Sequence, residues 1–451
     1  MGKPEKIKSA RVSILGAARS GLAVARLLKA NGADVFVSDK KPLEEAAQQI
    51  QILESIGVEH EFGSHSDRLF DADFMVVSPG VPSNLNLVQH AMKVGLKVYS
   101  EVEVASWFCR APIVAITGSN GKTTTTTLIG KIFEKSGRKT VVAGNIGYPI
   151  SDYVADMDEQ AVAVLEVSSF QLDHVDTFKP KVAVLLNITP DHLDRYENYQ
   201  AYMNSKFRIF MNQTADDTSV YSHDDEAVEK HCRDLKTILK PFSVKDRINC
   251  GGFVDDEKLY LVENGEPVYL MDWKEIKIRG VHNLYNSFAS ALAARSLDVD
   301  MEVIADTLRE FPGVEHRLEP VRELDGVRYV NDSKATNVDA VWYALGSFDA
   351  PIVLIAGGKD KGNDYSPLFE PVKNKVRAMI LIGMAAPKMQ KEFSEKTKCV
   401  MAASMEDAVA KARREAKKGD VVLLSPACAS FDMFQDYEHR GREFKRLVME
   451  L

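Results

Sequence analysis

Short apolar runs recur along the chain, separated by stretches with helical spacing of apolar positions. Arg11–Leu15 is a β-branched run of strand type, and Leu22–Ala30 is amphipathic until Asn31-Gly32 stops it. Asp34–Ser38, closing at Asp39, and Phe74–Val77 read as the next strands, the latter ending in the turn signal Ser78-Pro79-Gly80. This β-α-β rhythm predicts a parallel sheet with helices on its faces. It restarts after Pro112, with strands at Ile113–Ile116, Ala161–Leu165 and Val182–Leu186. A third block begins near Gly313, with strands at Gly326–Val330, Ile352–Ala356, Ala378–Ile382 and Val421–Leu424. A helix from Met405 to Lys418 is expected to end on a Gly419-Asp420 cap. The restarts imply three domains, at about 1–109, 110–313 and 314–451, joined by short hinges.

Composition supports that division without adding chemistry. At ~150 residues per domain, 451 residues accommodate three. Lys plus Arg is 57 against 65 Asp plus Glu, a net charge of −8, which argues against nucleic acid as a partner. It leaves anionic small substrates open, because a pocket can be locally positive. No apolar run reaches the ~18 residues of a membrane span, and the apolar run near the N-terminus is too short for a signal peptide. Five scattered cysteines without a CxxC pair predict neither a zinc site nor a disulfide framework, and a reducing, cytoplasmic compartment is expected.

Candidate chemistry begins at Ile116-Thr117-Gly118-Ser119-Asn120-Gly121-Lys122-Thr123, which follows a strand and opens a helix. Glycines let backbone N–H groups approach phosphate oxygens, and a helix N-terminus adds positive charge. Lys122 is placed for β/γ-phosphates and the Thr123 hydroxyl for Mg²⁺. The spacing departs from the strict phosphate-loop pattern, since Ile116 stands where the first glycine belongs. Of the five successive threonines, Thr123–Thr127, the first is read as functional and the rest as helix filling. Glu166 and His192 follow successive strands and are candidate metal ligands at the same sheet edge.

These segments carry a family resemblance. TGSNGKTTT, LEVSSFQL (Leu165–Leu172), NITPDHLDRY (Asn187–Tyr196), HNLYN (His282–Asn286) and EHR (Glu315–Arg317) resemble the Mur ligase superfamily of ATP-dependent amide-forming enzymes. VNDSKATN (Val330–Asn337) and LLSPACASFDMFQDYEHRG (Leu423–Gly441) resemble its D-glutamate-adding branch. The resemblance implies an α/β chain of three domains. These are an N-terminal Rossmann-like parallel sheet for a uridine nucleotide, a central phosphate-loop ATPase-type mixed α/β domain, and a C-terminal Rossmann-like domain for the amino acid. It implies ATP and Mg²⁺, with two metal sites, as cofactors, and UDP-N-acetylmuramoyl-L-alanine and D-glutamate as substrates of a monomer.

It also implies roles residue by residue. Lys122, Glu166, His192 and Lys206 are catalytic, and Thr123, Glu166, His192 and Lys206 serve the metal, Lys206 as a carbamate. Without the resemblance, Lys206 reads as a surface lysine. Gly118, Ser119, Asn120, Gly121, Lys122, Thr123, Thr124, Asn283, Asn286, Arg317 and Asp332 bind ATP. Arg19, Ser20, Asp39, Lys40, Asn145 and His192 contact the uridine substrate, although Lys40 and Lys41 equally fit a solvated turn. Thr336, Lys361, Ser430, Phe431 and Tyr437 form the D-glutamate pocket, with Lys359 competing for the place of Lys361. His316 is either cleft-facing or a hinge residue, and Cys428 is a small packed residue.

The segment Gly16-Ala-Ala18-Arg19-Ser20-Gly21 has Ala18 where a dinucleotide fingerprint has its second glycine. Together with the phosphate loop, this argues against an NAD(P)-dependent oxidoreductase. A related ligase adding another amino acid, including a folate-type glutamate ligase, is a second alternative, from which the segment ACASFDMF separates this chain. A phosphate-loop ATPase that forms no bond is a third, and it would turn over ATP without any amino acid.

Overall fold

The computed structural model describes residues 7–190, 195–360 and 362–451. Three separate sheets organise them. The first is parallel throughout, in the spatial order Glu59–Phe62, Asp34–Asp39, Arg11–Leu15, Phe74–Val77 and Lys97–Ser100. Its central strand is apolar on both faces because helices cover both. Val12 and Ile14 pack with Val24 and Leu28 on one side, and Leu15 joins Met75, Val77 and Val88 on the other.

The second sheet has nine strands, in the order Thr140–Gly144, Val162–Glu166, Ile113–Thr117, Val182–Leu185, Thr218–Ser222, Ile238–Ser243, Gly251–Asp255, Lys258–Glu263 and Glu266–Asp272. It is parallel until the last three strands, which form an antiparallel meander. The five strands from Thr218 onward are not among those expected from the sequence. Pro241 lies inside one, Gly251-Gly252 opens another, and Pro267 sits in the edge strand, all of which weaken a strand signature.

The third sheet runs Glu319–Leu324, Val327–Asn331, Val421–Leu424, Ile352–Gly357, Val376–Ile382 and Lys398–Met401, parallel except for its first strand. One helix stops earlier than its sequence implies. The helix over Met405–Glu415 ends at Ala416, which is extended, and Gly419 is not its cap. Asp420 draws the chain away: its carboxylate accepts the Lys417 N–H at 2.8 Å and pairs with Arg377.

The described chain forms two compact units. One runs to Ile276 and resumes over Tyr285–Glu310; the other comprises Lys277–Leu284 and Phe311–Leu451. The first and second sheets therefore share a unit, where the sequence implied a hinge. Glu103 shows why. Its fully buried carboxylate accepts the N–H groups of Asp176, Thr177 and Phe178 at 3.0, 2.9 and 2.8 Å, stitching the Glu101–Ser106 helix to the loop before the strand Val182–Leu185. No helix among the described residues is long and apolar enough to cross a membrane.

Candidate active site

The strand Ile113–Thr117 delivers the chain into Gly118–Gly121, and the helix Lys122–Lys135 follows. Gly118 and Gly121 both have positive φ, 151° and 85°, and a Cβ on Gly121 would lie 2.3 Å from Asn286 Oδ1. The loop is held from below. Asn187 Oδ1 accepts the Asn120 N–H at 2.9 Å, and Ser119 Oγ donates to the Thr189 carbonyl and contacts the Tyr202 hydroxyl, also at 2.9 Å. The Lys122 ammonium donates to the carbonyls of Gly118 and Ser119, at 2.8 Å each. Thr125 is more than filling: its hydroxyl donates to Asn286 Oδ1 at 3.2 Å, joining the helix to the predicted adenine-side asparagine. Thr124 is buried in the same first turn.

Glu166 closes the strand beside this loop, in register with Ile116 on one side and Gly144 on the other. Its side chain is 2 % exposed; Oε2 accepts the Thr123 hydroxyl at 2.8 Å and Oε1 the Asn145 amide at 2.9 Å. Gly144 permits this approach, since a Cβ there would lie 2.3 Å from the Glu166 carbonyl. Lys206 is buried rather than at the surface. Its Nζ donates to the Gly118 carbonyl at 2.8 Å and lies 4.7 Å from the centre of the Tyr202 ring, one turn earlier on the same helix. Thr123, Glu166, Lys122 and Lys206 thus converge on one phosphate loop. Buried oxygen donors beside a helix N-terminus fit a hard divalent cation bound with a nucleotide. His192, expected at this edge, lies outside the described residues.

A cavity of about 630 Å³ lies in the same unit. It gathers Arg19, Ser20, Asp39, Lys40 and Asn145, the five described residues expected at the uridine substrate. The helix Arg19–Ala30 points its N-terminus there, with Ala18 as N-cap, so its first N–H groups are available to a phosphate. Gly21 is required: a Cβ would lie 1.9 Å from the Gly16 carbonyl. Asp39 is committed to the local backbone, accepting the Ala17 N–H at 2.6 Å and the Lys41 N–H at 2.8 Å. The cavity also includes His65 and Leu87, which no sequence motif singled out, and Ser78, read from the sequence only as part of a turn.

The second unit carries the remaining predicted residues. Asp332 is 3 % exposed; its carboxylate accepts the Ser425 hydroxyl at 2.8 Å and the Leu318 N–H at 3.2 Å. Burial pushes its pKa up to about 6, against the pull of Arg317 and these hydrogen bonds. Burial, reinforced by Arg317, lowers His282 to about 4. Asn283 donates its amide to the Arg279 carbonyl at 2.8 Å.

Thr336 and Ser430 sit on two loops tied together. The Ala427 N–H donates to the Ala335 carbonyl at 2.9 Å, and the fully buried Arg440 reaches both Ser333 and the Cys428 carbonyl. Ser430 is buried, Phe431 is 69 % exposed, and Tyr437 begins the last helix. Lys361 lies outside the described residues. His316 is buried behind the loops, its Nδ1 2.8 Å from the Asn331 amide and its ring against Gly441, so it is a packed structural residue rather than a cleft-facing one. Cys428 contacts the Tyr365 hydroxyl at 3.2 Å, and burial raises its thiol to about 11, consistent with packing rather than nucleophilic chemistry. Arg440 and Tyr202 were missed by motif reading; the i, i+4 spacing of Tyr202 and Lys206 was the one available signal.

Comparison with known proteins follows the same division. Residues 11–86 match the model of the MurD N-terminal domain, 116–294 the Mur ligase middle domain, and 316–428 the Mur ligase glutamate ligase domain. The chain is 50 % identical over 459 aligned positions to the UDP-N-acetylmuramoylalanine–D-glutamate ligase of Salinibacter ruber, covering 99 % of each chain. It is 46 % identical to the enzyme of that name from Chloroherpeton thalassium, again covering 99 % of both. Among solved structures, a pseudomurein peptide ligase type C from Methanothermus fervidus superposes with a TM-score of 0.61 at 20 % identity, over 98 % of this chain and 100 % of that one. The UDP-N-acetylmuramate–alanine ligase of Thermotoga maritima gives a TM-score of 0.61 at 18 % identity, over 98 % and 99 %. At such identities the structures speak to the fold alone.

Proposed function

The chain belongs to the family of UDP-N-acetylmuramoylalanine–D-glutamate ligases, and from that premise we propose how its residues divide the reaction. The enzyme is an ATP-dependent ligase of peptidoglycan synthesis that joins D-glutamate to UDP-N-acetylmuramoyl-L-alanine. Residues 1–109 hold the uridine nucleotide, 110–313 hold ATP, and 314–451 hold D-glutamate. A carboxylate is a poor acyl donor because oxide is a poor leaving group; phosphorylation by ATP gives an acyl phosphate, which the amine of D-glutamate attacks with loss of phosphate.

The observation that carries this assignment is the Thr123–Glu166–Asn145 chain of hydrogen bonds, which runs from the phosphate loop to a residue lining the 630 Å³ cavity. On this reading a γ-phosphate bound at the loop would meet a carboxylate entering from the cavity. Two anions must approach there, and Lys122 offsets their repulsion. Thr123 and Glu166, with His192 and Lys206, would hold Mg²⁺ at two sites, and the metal supplies charge neutralisation between the reacting anions. Lys206 is proposed to be carbamylated: a carbamate nitrogen would keep one N–H for the Gly118 carbonyl, and its carboxylate would add anionic oxygen donors for Mg²⁺. Arg317 and Asp332 are assigned to ATP, with Asn283 and Asn286 at the adenine. Thr336, Lys361, Ser430, Phe431 and Tyr437 are assigned to D-glutamate. The enzyme is proposed to act as a monomer and in the cytoplasm, the latter in keeping with five free cysteines.

Phosphate release with ATP, UDP-N-acetylmuramoyl-L-alanine and a varied amino acid tests the reading. Release with D-glutamate is expected. Release with L-lysine or meso-diaminopimelate but not D-glutamate would overturn it.

A further inference from the structure

Three chemically distinct groups of residues line the cavity. The helix N-terminus at Arg19 and Ser20 suits a diphosphate, and Asn145, hydrogen-bonded to Glu166, marks the reacting end. The group left for the nucleoside is Asp39, Lys40 and His65. His65 follows the edge strand Glu59–Phe62, two strands out from the central Arg11–Leu15.

A hydrogen-bond relay fixes the imidazole. Ser38, fully buried, donates its hydroxyl proton to Glu61 Oε1 at 2.6 Å, and the same oxygen accepts the Ser66 N–H at 2.9 Å. Burial alone would raise the Glu61 carboxyl, but the hydrogen bonds from Ser38 and Ser66 and the nearby His65 hold it below its ordinary value, so it stays an acceptor. A serine hydroxyl has one proton. With that proton on Glu61, Ser38 Oγ can only accept from His65 Nδ1, 2.7 Å away. Nδ1 therefore carries the N–H, and a neutral imidazole keeps a lone pair on Nε2. Burial pushes the imidazole below its ordinary 6.5; Glu61 and Asp39 pull the other way, and Lys40 reinforces the shift. The ring lines the cavity with Nδ1 already used, which leaves Nε2 as its polar atom for a ligand.

We propose that His65 determines base specificity in the uridine site, its Nε2 accepting the N3–H of uracil. A fixed acceptor favours a base that presents an N–H at position 3 and rejects cytosine, which presents a lone pair there; a site that leaves a buried polar group unmatched discriminates strongly. This rests on the assignment of the cavity to the uridine substrate.

The test is calorimetric titration of the whole chain with UDP and with CDP, for the wild type, His65→Leu and His65→Gln, alongside steady-state kinetics. UDP is expected to bind the wild type at least tenfold more tightly than CDP. His65→Leu should weaken UDP about tenfold and bring the two affinities together. His65→Gln, which keeps an acceptor, should recover part of the preference. In turnover, KM for UDP-N-acetylmuramoyl-L-alanine should rise about tenfold in His65→Leu, with kcat and the KM values for ATP and D-glutamate within twofold. The wild-type KM for that substrate should also climb as pH falls through the imidazole's pKa, which lies below its ordinary 6.5, and this rise should be absent from His65→Gln. An unchanged UDP-to-CDP ratio in His65→Leu, or a parallel change in all three KM values, would overturn the proposal and leave the ligase reading standing. A wild-type chain that binds UDP no better than CDP also overturns it. A wild type that binds UDP but releases no phosphate with D-glutamate would overturn the ligase reading while the base preference still tests His65.

Discussion

The side-chain amide of Asn145 donates to Glu166 Oε1 at 2.9 Å, while the backbone N–H of Asn145 donates to the Glu166 carbonyl at 2.8 Å. One residue thereby holds Glu166 twice, once at its buried carboxylate and once at its backbone, and also lines the cavity. Asn145→Ala keeps the backbone contact and removes the side-chain donor, so Glu166 loses orientation relative to Thr123. We expect kcat to fall roughly 10- to 100-fold, as misplacement of a positioning group does, with thermal stability nearly unchanged. Steady-state phosphate release and a melting curve on the same sample check both halves.

Gly121 has φ 85°, and a Cβ there would meet Asn286 Oδ1 at 2.3 Å. Gly121→Ala combines left-handed strain with a steric conflict, so a loss on the order of 2–3 kcal/mol is expected. Urea unfolding measures it. ATP binding should fall in parallel, because the same displacement moves the loop N–H groups away from phosphate.

Lys122 and Lys206 both hold the Gly118 carbonyl at 2.8 Å, yet their expected failures differ. Lys122→Ala should lower turnover by about 10²- to 10³-fold, the range for loss of one electrostatic stabiliser, with the fold retained by circular dichroism. Lys206→Ala should lose activity and regain part of it on addition of acetate or formate, which would replace the carboxylate of a carbamate. Absence of any rescue would count against carbamylation.

Glu101 is fully buried, and Oε1 accepts both the Ser151 N–H at 2.8 Å and the Ser151 hydroxyl at 2.6 Å. Burial raises its pKa from 4.5 to about 7, with the Ser151 hydrogen bonds opposing. The folded state therefore holds this proton more tightly than the unfolded chain. Its stabilising contribution is complete below about pH 4.5 and declines as pH rises to about 7, by an amount on the order of 3 kcal/mol at most. Glu101→Gln removes the titration, so the variant should be more stable than the wild type at pH 8 and similar at pH 4.5. Melting temperatures across that range decide it.

Local chemistry was legible wherever a single segment carries it. The strand Ile113–Thr117, its glycines and Lys122 are contiguous, and an apolar run entering a glycine-rich loop is enough to specify a strand, a turn and a helix N-terminus. Phe74–Val77 and Val421–Leu424 match their predicted limits because parallel strands covered on both faces are apolar throughout, and Arg11–Leu15 matches with Ser13 as its one buried polar residue. Three of the strands between Thr218 and Asp272 were obscured by Pro241, Gly251-Gly252 and Pro267.

What the sequence determined by itself was the three sheets' central strands, the phosphate loop and the residue types of an anionic ligase site. Only the tertiary structure decided that Lys206 is buried under the loop beside Tyr202, that Glu103 joins the first two sheets into one unit, and that Ser38, Glu61 and His65 form a relay at the cavity wall. Each of these depends on burial and on partners many positions away. Burial decides whether a lysine or a glutamate is a solvated surface group or a fixed part of a site, and a linear pattern carries no record of it.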